Sequence, residues 1–376
     1  MRSRGLAAVA LALTCGLAGA AAYPPPRPAT AGKGRLELLH GIPVLHLAGT
    51  PAEMGQQQGT LLGEQFRVLR QWYLKRFLGQ GAQLEAAKLA AMGFQRFMPA
   101  DMLAELKAIA SASGEAYVNL LLANTFLDTS RAAFCSVVIA RGQATRGGRV
   151  LFARNNDFPT LGIAHKASLL VVYHHAGRER HSFVSVGWPG MVGVISGMND
   201  AGLCAATLVS LSQRGVQPGM PYCLMYREIL ETCATPQEAL ARVKRTKRTS
   251  ANNLAVAGPR GEPLVIEFTP RRVVARRPTR GVLLATNHFR SPAHTAAPKP
   301  IDGRFATLQR LVAQHRGRID VSALKDMLHA VHQGKITLQA MVFEPAERRL
   351  HLAIGALPAT SGKYVTIDCA RLLAAR

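Results

Sequence analysis

Near residue 134 the hydrophobic pattern of this chain changes period, and that switch constrains its fold more than any other feature. Between Thr50 and about residue 130, apolar residues recur every three to four positions. Thr50-Pro51-Ala52-Glu53 reads as a capping box with proline at the first helical position, and Met54, Leu61, Leu62, Phe66, Leu69, Trp72 and Tyr73 continue the stripe. Further helical patterns run through Leu103, Leu106, Ile109 and Ala110, then through Val118, Leu121 and Leu122. From Cys135 onward the apolar residues come in short runs. Cys135 to Arg141 and Arg149 to Asn155 flank a glycine-rich turn, Gly142 to Gly148, and predict a hairpin. Strand patterns follow at Leu169 to Tyr173, Phe183 to Val186, Val192 to Ile195 and Leu203 to Leu208. Others lie at Leu254 to Ala257, Leu264 to Phe268, Val282 to Ala285, Leu338 to Phe343 and Leu350 to Ile354. Helical patterns interrupt them at Met225 to Leu240, Phe305 to Leu311 and Val321 to His332. A helical front joined to strand-rich sequence with interspersed helices predicts α+β layers, with a boundary near residue 134.

The 376 residues suffice for one large domain or two smaller ones. Lys plus Arg minus Asp plus Glu is 46 − 22 = +24, yet 48% of residues are hydrophobic and 18% charged, so the charge sits on a folded body rather than a disordered polycation. Two stretches concentrate it: Arg242, Lys244, Arg245, Lys247 and Arg248, then Arg271, Arg272, Arg276, Arg277 and Arg280. They could contact an anionic surface, but no aromatic residues interleave them, so nucleic acid is not expected and solvated faces are the plainer reading. The six cysteines lack CxxC pairs, which argues against a zinc framework. Cys204, Cys223, Cys233 and Cys369 read as core thiols or as one or two disulfides.

The amino terminus has the pattern of an export signal: Arg2 and Arg4, an apolar run from Leu6 to Leu17, and Ala20-Ala21-Ala22 before Tyr23. The run is short of the roughly 20 residues that span a bilayer. Cys15 after Leu13-Thr14 makes a poor lipid-attachment site. The expectation is an exported protein, periplasmic or extracellular, with residues 1–22 removed and Pro24-Pro25-Pro26-Arg27-Pro28 as a stiff leader.

Familiar catalytic and phosphate-binding signatures are absent: no G-x-S-x-G, no H-E-x-x-H, no G-x-x-x-x-G-K-[ST] and no G-x-G-x-x-G after a strand. His329 and His332, and the pair His174-His175, lack a carboxylate at ligand spacing and read as structural or surface residues; no metal or cofactor is expected. Cys135 stands at the head of the first strand after the helical front. The stretch Cys135-Ser136-Val137-Val138-Ile139-Ala140-Arg141, a glycine-rich turn, and Phe152-Ala153-Arg154-Asn155-Asn156-Asp157-Phe158 resembles the N-terminal-nucleophile hydrolases related to choloylglycine hydrolase and acid ceramidase. Gly187-Trp188-Pro189-Gly190, Gly197-Met198-Asn199-Asp200-Ala201-Gly202-Leu203, Ala285-Thr286-Asn287-His288-Phe289 and Gly303-Arg304-Phe305 follow in that family's order. Gly49-Thr50-Pro51-Ala52-Glu53-Met54-Gly55 and the helical front are similar to its peptidase C45 branch, the relatives of isopenicillin-N acyltransferase.

The resemblance implies a four-layer αββα sandwich: 23–134 a helical pro-segment or small subunit, 135–376 the catalytic domain. It implies self-cleavage between Phe134 and Cys135, which frees an α-amine beside the thiol. A thiol of ordinary pKa about 8.5 needs a base, and an α-amine near 7.7 to 8.0 titrates in the useful range. By the same resemblance Cys135 is the nucleophile and Asp157 holds its amine. Arg154 lines the pocket and favours the thiolate, Asn199 and Asn287 form the oxyanion hole, and Arg304 is a second cation near the sulfur. The residue before the nucleophile is Phe134 where isopenicillin-N acyltransferase has glycine. Asn253 and Glu267 lie in strands where the family has polar residues, and neither is taken as catalytic. The implied reaction is hydrolysis of a linear acyl amide, or transfer of its acyl group to an amine acceptor. A different class of reading is a non-catalytic cationic protein that binds envelope polymers or lipid on the same fold.

Overall fold

In a computed structural model of the chain the described residues are 22–129, 134–177, 179–210, 215–294 and 302–374. The expected signal segment and Cys15 lie outside them, as do residues 130–133 just before the expected cleavage point. Two sheets form the centre. One has ten strands in the order β1 (Ala29–Ala31), β2 (Gly34–Leu39), β3 (Ile42–Gly49), β6 (Leu169–His175), β7 (Phe183–Gly187), β8 (Ser196–Asn199), β9 (Cys204–Val209), β10 (Asn252–Ala257), β11 (Leu264–Phe268) and β12 (Val273–Arg276). The other has six, ordered β13 (Val282–Ala285), β4 (Phe134–Gly142), β5 (Gly148–Asp157), β14 (Thr337–Glu344), β15 (Arg349–Ile354) and β16 (Val365–Asp368).

Strand alternation sorts the side chains into layers. Val137, Ile139, Phe152, Leu170, Val172 and Met341 meet between the two sheets. Val138, Ala140, Leu151 and Ala153 point the other way, against the helices α7 (Gly303–Gln314) and α8 (Val321–Ala330). Leu169, Val171 and Tyr173 face a thicker helical layer on the ten-stranded sheet. That layer contains α1 (Pro51–Val68), α2 (Ala82–Phe94), α3 (Ala100–Ser113), α4 (Tyr117–Thr129), α5 (Tyr222–Thr232) and α6 (Pro236–Arg245). The result is the α+β sandwich with the layer order αββα that the resemblance implied. A short helix, α9 (Cys369–Ala374), closes the chain and packs between the sheets.

The front is not wholly helical. Residues 34–49 form the β2–β3 hairpin, and β3 runs parallel to β6 with Val44 opposite Leu170. The pattern Ile42, Val44, Leu45 and Leu47 is too short to be distinguished from loop by periodicity; only pairing with β6 makes it a strand. Capping at Thr50 is as expected, with the Thr50 side chain accepting from the Glu53 amide and Glu53 accepting from the Thr50 amide. The helix then passes through a π-helical segment, Leu69–Leu74.

Two further expectations are corrected. Val192 to Ile195 is not a strand: its amides are taken by Asn124 Oδ1 and by the Cys223 carbonyl, so it serves as a loop beneath α4 and α5. Met225 to Leu240 is two helices, because Pro236 lacks an amide donor and starts α6 with Thr235 as its cap. Cys135, Cys204, Cys223, Cys233 and Cys369 are all free and buried, which settles the choice between thiols and disulfides for the described cysteines. No helix among the described residues is long and apolar enough to cross a membrane.

Candidate active site

The hairpin of β4 and β5 builds the site. Its register sets Cys135 opposite Asn156, Val137 opposite Arg154 and Phe134 opposite Asp157. Because side chains alternate, Cys135, Arg154 and Asn156 project between the sheets, while Asn155 and Asp157 project toward α7 and α8. Asn155 accordingly donates to the Leu328 carbonyl of α8 at 2.7 Å.

Cys135 is 1% exposed, whereas Phe134 before it is 39% exposed. Arg154 is fully buried and directs Nη2 at the Cys135 sulfur, 3.4 Å away, and at Asn156 Oδ1, 3.0 Å away. Its Nη1 is fixed by Ser196 Oγ at 2.7 Å and by the Ile195 carbonyl. A buried guanidinium held this way fixes a positive charge beside the sulfur. Asn156 Oδ1 lies 3.7 Å from the same sulfur, and its Nδ2 donates to Gln339 Oε1 at 3.0 Å. Gln339 in turn donates to Ser168 Oγ at 3.1 Å.

On the other side, the Cys135 backbone N–H donates to Asn287 Oδ1 at 2.5 Å, and Asn287 Nδ2 donates to the Val209 carbonyl at 2.9 Å. Asn287 is carried by the segment after β13, which Asn253 clamps by donating to the carbonyls of Thr286 and His288 at 3.1 and 3.2 Å. Arg304, in the first turn of α7, donates to the Cys135 carbonyl at 2.7 Å and lies 3.3 Å from Asn287 Oδ1 and 3.9 Å from Asp157 Oδ2. Asp157 accepts from Thr337 Oγ1 at 2.5 Å. Burial pushes its carboxyl up to about 7, with Thr337, Arg304 and Arg154 pulling against that rise.

Five of the six expected residues, Cys135, Arg154, Asp157, Asn287 and Arg304, thus belong to one connected cluster. Asn199 does not. Its Nδ2 donates to the carbonyls of Leu230 and Cys233 at 2.9 and 2.7 Å, and its Oδ1 accepts from the Leu203 amide at 2.9 Å. It caps the end of α5 and closes the turn before β9, so both its donors are engaged away from the thiol. In the uncut chain the Cys135 nitrogen is a peptide amide that donates to Asn287 Oδ1, and Asp157 lies 3.9 Å from Arg304, which bonds the Cys135 carbonyl. Glu267 is spent on Arg276 and the amides of Arg290 and Ser291. His329 bonds Thr360 and His332 accepts from the Gly334 amide. No group of three or more His, Cys, Asp or Glu among the described residues could hold a metal ion. Asn156 and Gln339 are members of the cluster that the sequence motifs did not single out.

The thiol opens onto a cavity of about 750 Å³, its mouth included, whose walls are almost entirely apolar. Phe158, Trp188, Met191, Ile195 and Tyr222 supply one part of the wall. Phe66, Leu69, Tyr73, Leu74, Phe126 and Leu127, all upstream of Cys135, supply the other. The π-helical segment brings Trp72 and Tyr73 onto the loop after β5, where Trp72 Nε1 donates to the Leu161 carbonyl at 3.0 Å and the Tyr73 hydroxyl to the Pro159 carbonyl at 2.7 Å. Gly190, at φ +77°, allows Phe66 to lie against its Cα; a Cβ there would be 2.3 Å from the ring.

The upstream residues are also tied polar-to-polar to the rest. Gln58 accepts from the Gly190 amide at 2.8 Å, and Asn124 bridges the Gly190 carbonyl and the Val192 amide, each at 2.9 Å. Glu105 of α3 pairs with Arg227 of α5 at 2.7 Å in full burial, and Asp128 at the end of α4 accepts from Thr249, from Ser250 and from the Tyr222 amide.

Among known protein families, residues 144–357 match the model of acyl-coenzyme A:6-aminopenicillanic acid acyl-transferase, a span that includes Arg154, Asp157, Asn287 and Arg304 and begins shortly after Cys135. The chain is 28% identical over 239 residues to Protein dcd1B of Dictyostelium discoideum, covering 57% of this chain and 48% of that protein. It is 25% identical over 355 residues to an uncharacterized protein of Archaeoglobus fulgidus, covering 79% of this chain and 59% of that one. The chain therefore aligns to about half the length of these relatives. Among solved structures, the Caenorhabditis elegans ortholog of N-acylethanolamine-hydrolyzing acid amidase aligns at 18% identity and TM-score 0.45, covering 56% of this chain and 93% of that one. Penicillin V acylase from Agrobacterium tumefaciens aligns at 16% and 0.45, covering 62% and 86%. The family model spans more than half of the chain, and the protein belongs to the acyl-coenzyme A:6-aminopenicillanic acid acyl-transferase family.

Proposed function

We propose that this protein is an exported, self-processing cysteine amidohydrolase that cleaves a linear acyl amide through a thioester on Cys135. The observation that supports it most is a buried thiol facing a buried guanidinium at 3.4 Å on the wall of an apolar cavity. Such a cavity accepts an acyl chain by burial of apolar surface and leaves the polar end of the substrate at the sulfur.

Activation is an acyl shift. The Cys135 sulfur attacks the Phe134 carbonyl carbon, the C–N bond between them breaks, and the thiol proton ends on the freed nitrogen. Water then hydrolyses the thioester, leaving a Phe134 carboxylate and a free Cys135. In turnover the new α-amine takes the thiol proton and the sulfur attacks the substrate carbonyl. The leaving amine departs with that proton, and water releases the acyl group as a carboxylic acid. Asn287 Oδ1, already against the Cys135 nitrogen, would orient the amine, and Arg154 would hold the thiolate. Arg304, donating to the Cys135 carbonyl, would keep the residue's backbone in place. Residues 23–134 would remain bound as a second subunit, because β3 is part of a sheet and Phe66 and Phe126 line the cavity.

A second reading is favoured by the family model: an amine acceptor in place of water would make the same acyl-enzyme an acyltransferase. Product analysis with a competing amine separates the two. The non-catalytic reading is disfavoured by the intact cluster around the thiol. The deciding experiment is the intact mass of the purified protein beside a Cys135→Ala variant. Two fragments, the larger beginning at Cys135, with the variant left whole, are expected. A single uncut chain in both would remove the α-amine from the mechanism.

A further inference from the structure

Helix α2 presents an outer face that a water-exposed helix does not ordinarily have. Leu89 is 70% exposed and Met92 50%, and Ala86, Ala90 and Gly93 beside them are exposed as well. Its two charged residues, Glu85 and Lys88, pair with each other at 2.7 Å. The opposite face is satisfied by burying Ala91 and Phe94. A helix that is apolar on both faces has a second surface to cover.

Cations border that face. Phe97 follows α2, and both the Arg96 guanidinium and the Lys247 ammonium lie 4.9 Å from the centre of its ring. Arg248 next to Lys247 is buried and donates to the carbonyls of Val243, Thr246, Thr269 and Pro270, which fastens the end of α6 to the turn that carries Arg271 and Arg272. Arg96, Lys244, Arg245, Lys247, Arg271 and Arg272 are all exposed. The ion pairs of these two basic stretches go to Arg242, Arg276 and Arg277, and none of the six is paired among the described residues.

We infer that the face made by α2, Phe97 and these six cations docks on an anionic lipid bilayer. Exposed Leu and Met bordered by unpaired cations match the two layers of a membrane interface, acyl boundary and anionic headgroups. A second copy of the chain is the poorer occupant, since it would bring another +24 charge against the same cations. The surface lies outside α4, whose Phe126 and Leu127 line the cavity. The inference stands apart from the proposed chemistry and needs no active enzyme.

The test is co-sedimentation of the full protein with phosphatidylcholine vesicles, with and without phosphatidylglycerol. Binding is expected only with phosphatidylglycerol. Replacing Lys244, Lys247 and Arg271 by Gln is expected to weaken it by about a hundredfold. Leu89→Ser with Met92→Ser should leave binding that high salt abolishes, where the parent protein keeps a salt-resistant part. Every altered side chain is exposed, and thermal melting confirms that the variants fold. Equal binding to both vesicle types, or binding indifferent to both sets of changes, would overturn the inference. So would a dimer in solution that the Leu89 and Met92 changes dissociate, or equal uptake of soluble heparin unaffected by those two changes.

Discussion

Asn156 lies directly across the β4–β5 ladder from Cys135, with its side-chain oxygen 3.7 Å from the Cys135 sulfur and 3.0 Å from Arg154 Nη2. One carbonyl oxygen therefore fixes both the thiol and the cation that faces it. Its own orientation is set from behind by Gln339 and Ser168, a short hydrogen-bonded thread that ends at the cavity wall near Ala164.

Asn156→Leu should leave Arg154 Nη2 short of an acceptor inside the protein, where a lost charge-assisted bond costs about 1.5 to 3 kcal/mol. Loss of at least tenfold in the rate of Cys135 alkylation or turnover is expected, with a changed pH profile. Gln339→Leu, which removes the acceptor of the Asn156 amide and the donor to Ser168 but leaves Asn156 Oδ1 in place, should give a smaller change in the same direction. An unchanged pH profile in both would mean the thread is merely structural.

Asn287 and Asn199 should separate cleanly. Asn287→Leu removes the group on the Cys135 nitrogen and is expected to stop chain cleavage and turnover with a small effect on melting. Asn199→Leu leaves the Leu230 and Cys233 carbonyls and the Leu203 amide without partners, at about 1 to 3 kcal/mol each when buried. It should lower the urea midpoint markedly while the remaining folded protein still processes itself.

Gly190→Ala places a methyl group 2.3 Å from the Phe66 ring at a backbone angle that L residues avoid. Overpacking of this kind costs about 1 to 3 kcal/mol. Urea unfolding should show that loss, and Phe66→Ala in the same background should recover part of it by making room. Additive effects would mean the two positions do not share the strain.

Asp128 sets a pH dependence. Burial pushes its carboxyl up to about 7, while Thr249, Ser250 and the Tyr222 amide pull the other way. An unfolded aspartate titrates near 3.9, so between about pH 4 and 7 the folded state holds the extra proton and stability falls as pH rises. Asp128→Asn removes this contribution. The melting temperature of the variant relative to the parent should therefore rise from pH 4 to pH 7 and level off above. A difference that does not vary with pH would place the Asp128 carboxyl in its ordinary range.

Glu105→Gln takes one of two buried carboxylates from Arg227, which keeps Glu231 at 2.7 Å, so the loss should fall below the roughly 3 to 5 kcal/mol of a buried pair broken outright. Because this pair joins α3 to α5, the change should also loosen the upstream segment once the chain is cut. Size-exclusion chromatography of the processed variant at rising urea should show the fragments separating before those of the parent protein.

Much of the site is legible in the amino-acid sequence. Periodicity places the β4–β5 hairpin, α1, α7 and α8, because local alternation and capping chemistry act within a few residues. The spacing of Cys135, Arg154 and Asp157 follows from that hairpin. The same alternation puts Arg154, Asn156 and Cys135 on one face, so counting in twos along β5 is the signal that would have found Asn156.

Tertiary structure alone decided the rest, and the reason is the same in each case: partners come from distant segments. Pairing with β6 turned residues 42–49 into a strand and made the front part of a sheet. Leu230 and Cys233 claimed Asn199, while Asn287, brought in by β13 and clamped by Asn253, took the Cys135 nitrogen. The cavity required Phe66 and Trp188 to meet from chain positions far apart. A side chain's residue type and its face on a strand are local properties of the sequence, but which hydrogen-bond donor it ends up satisfying is settled only when the layers close on one another.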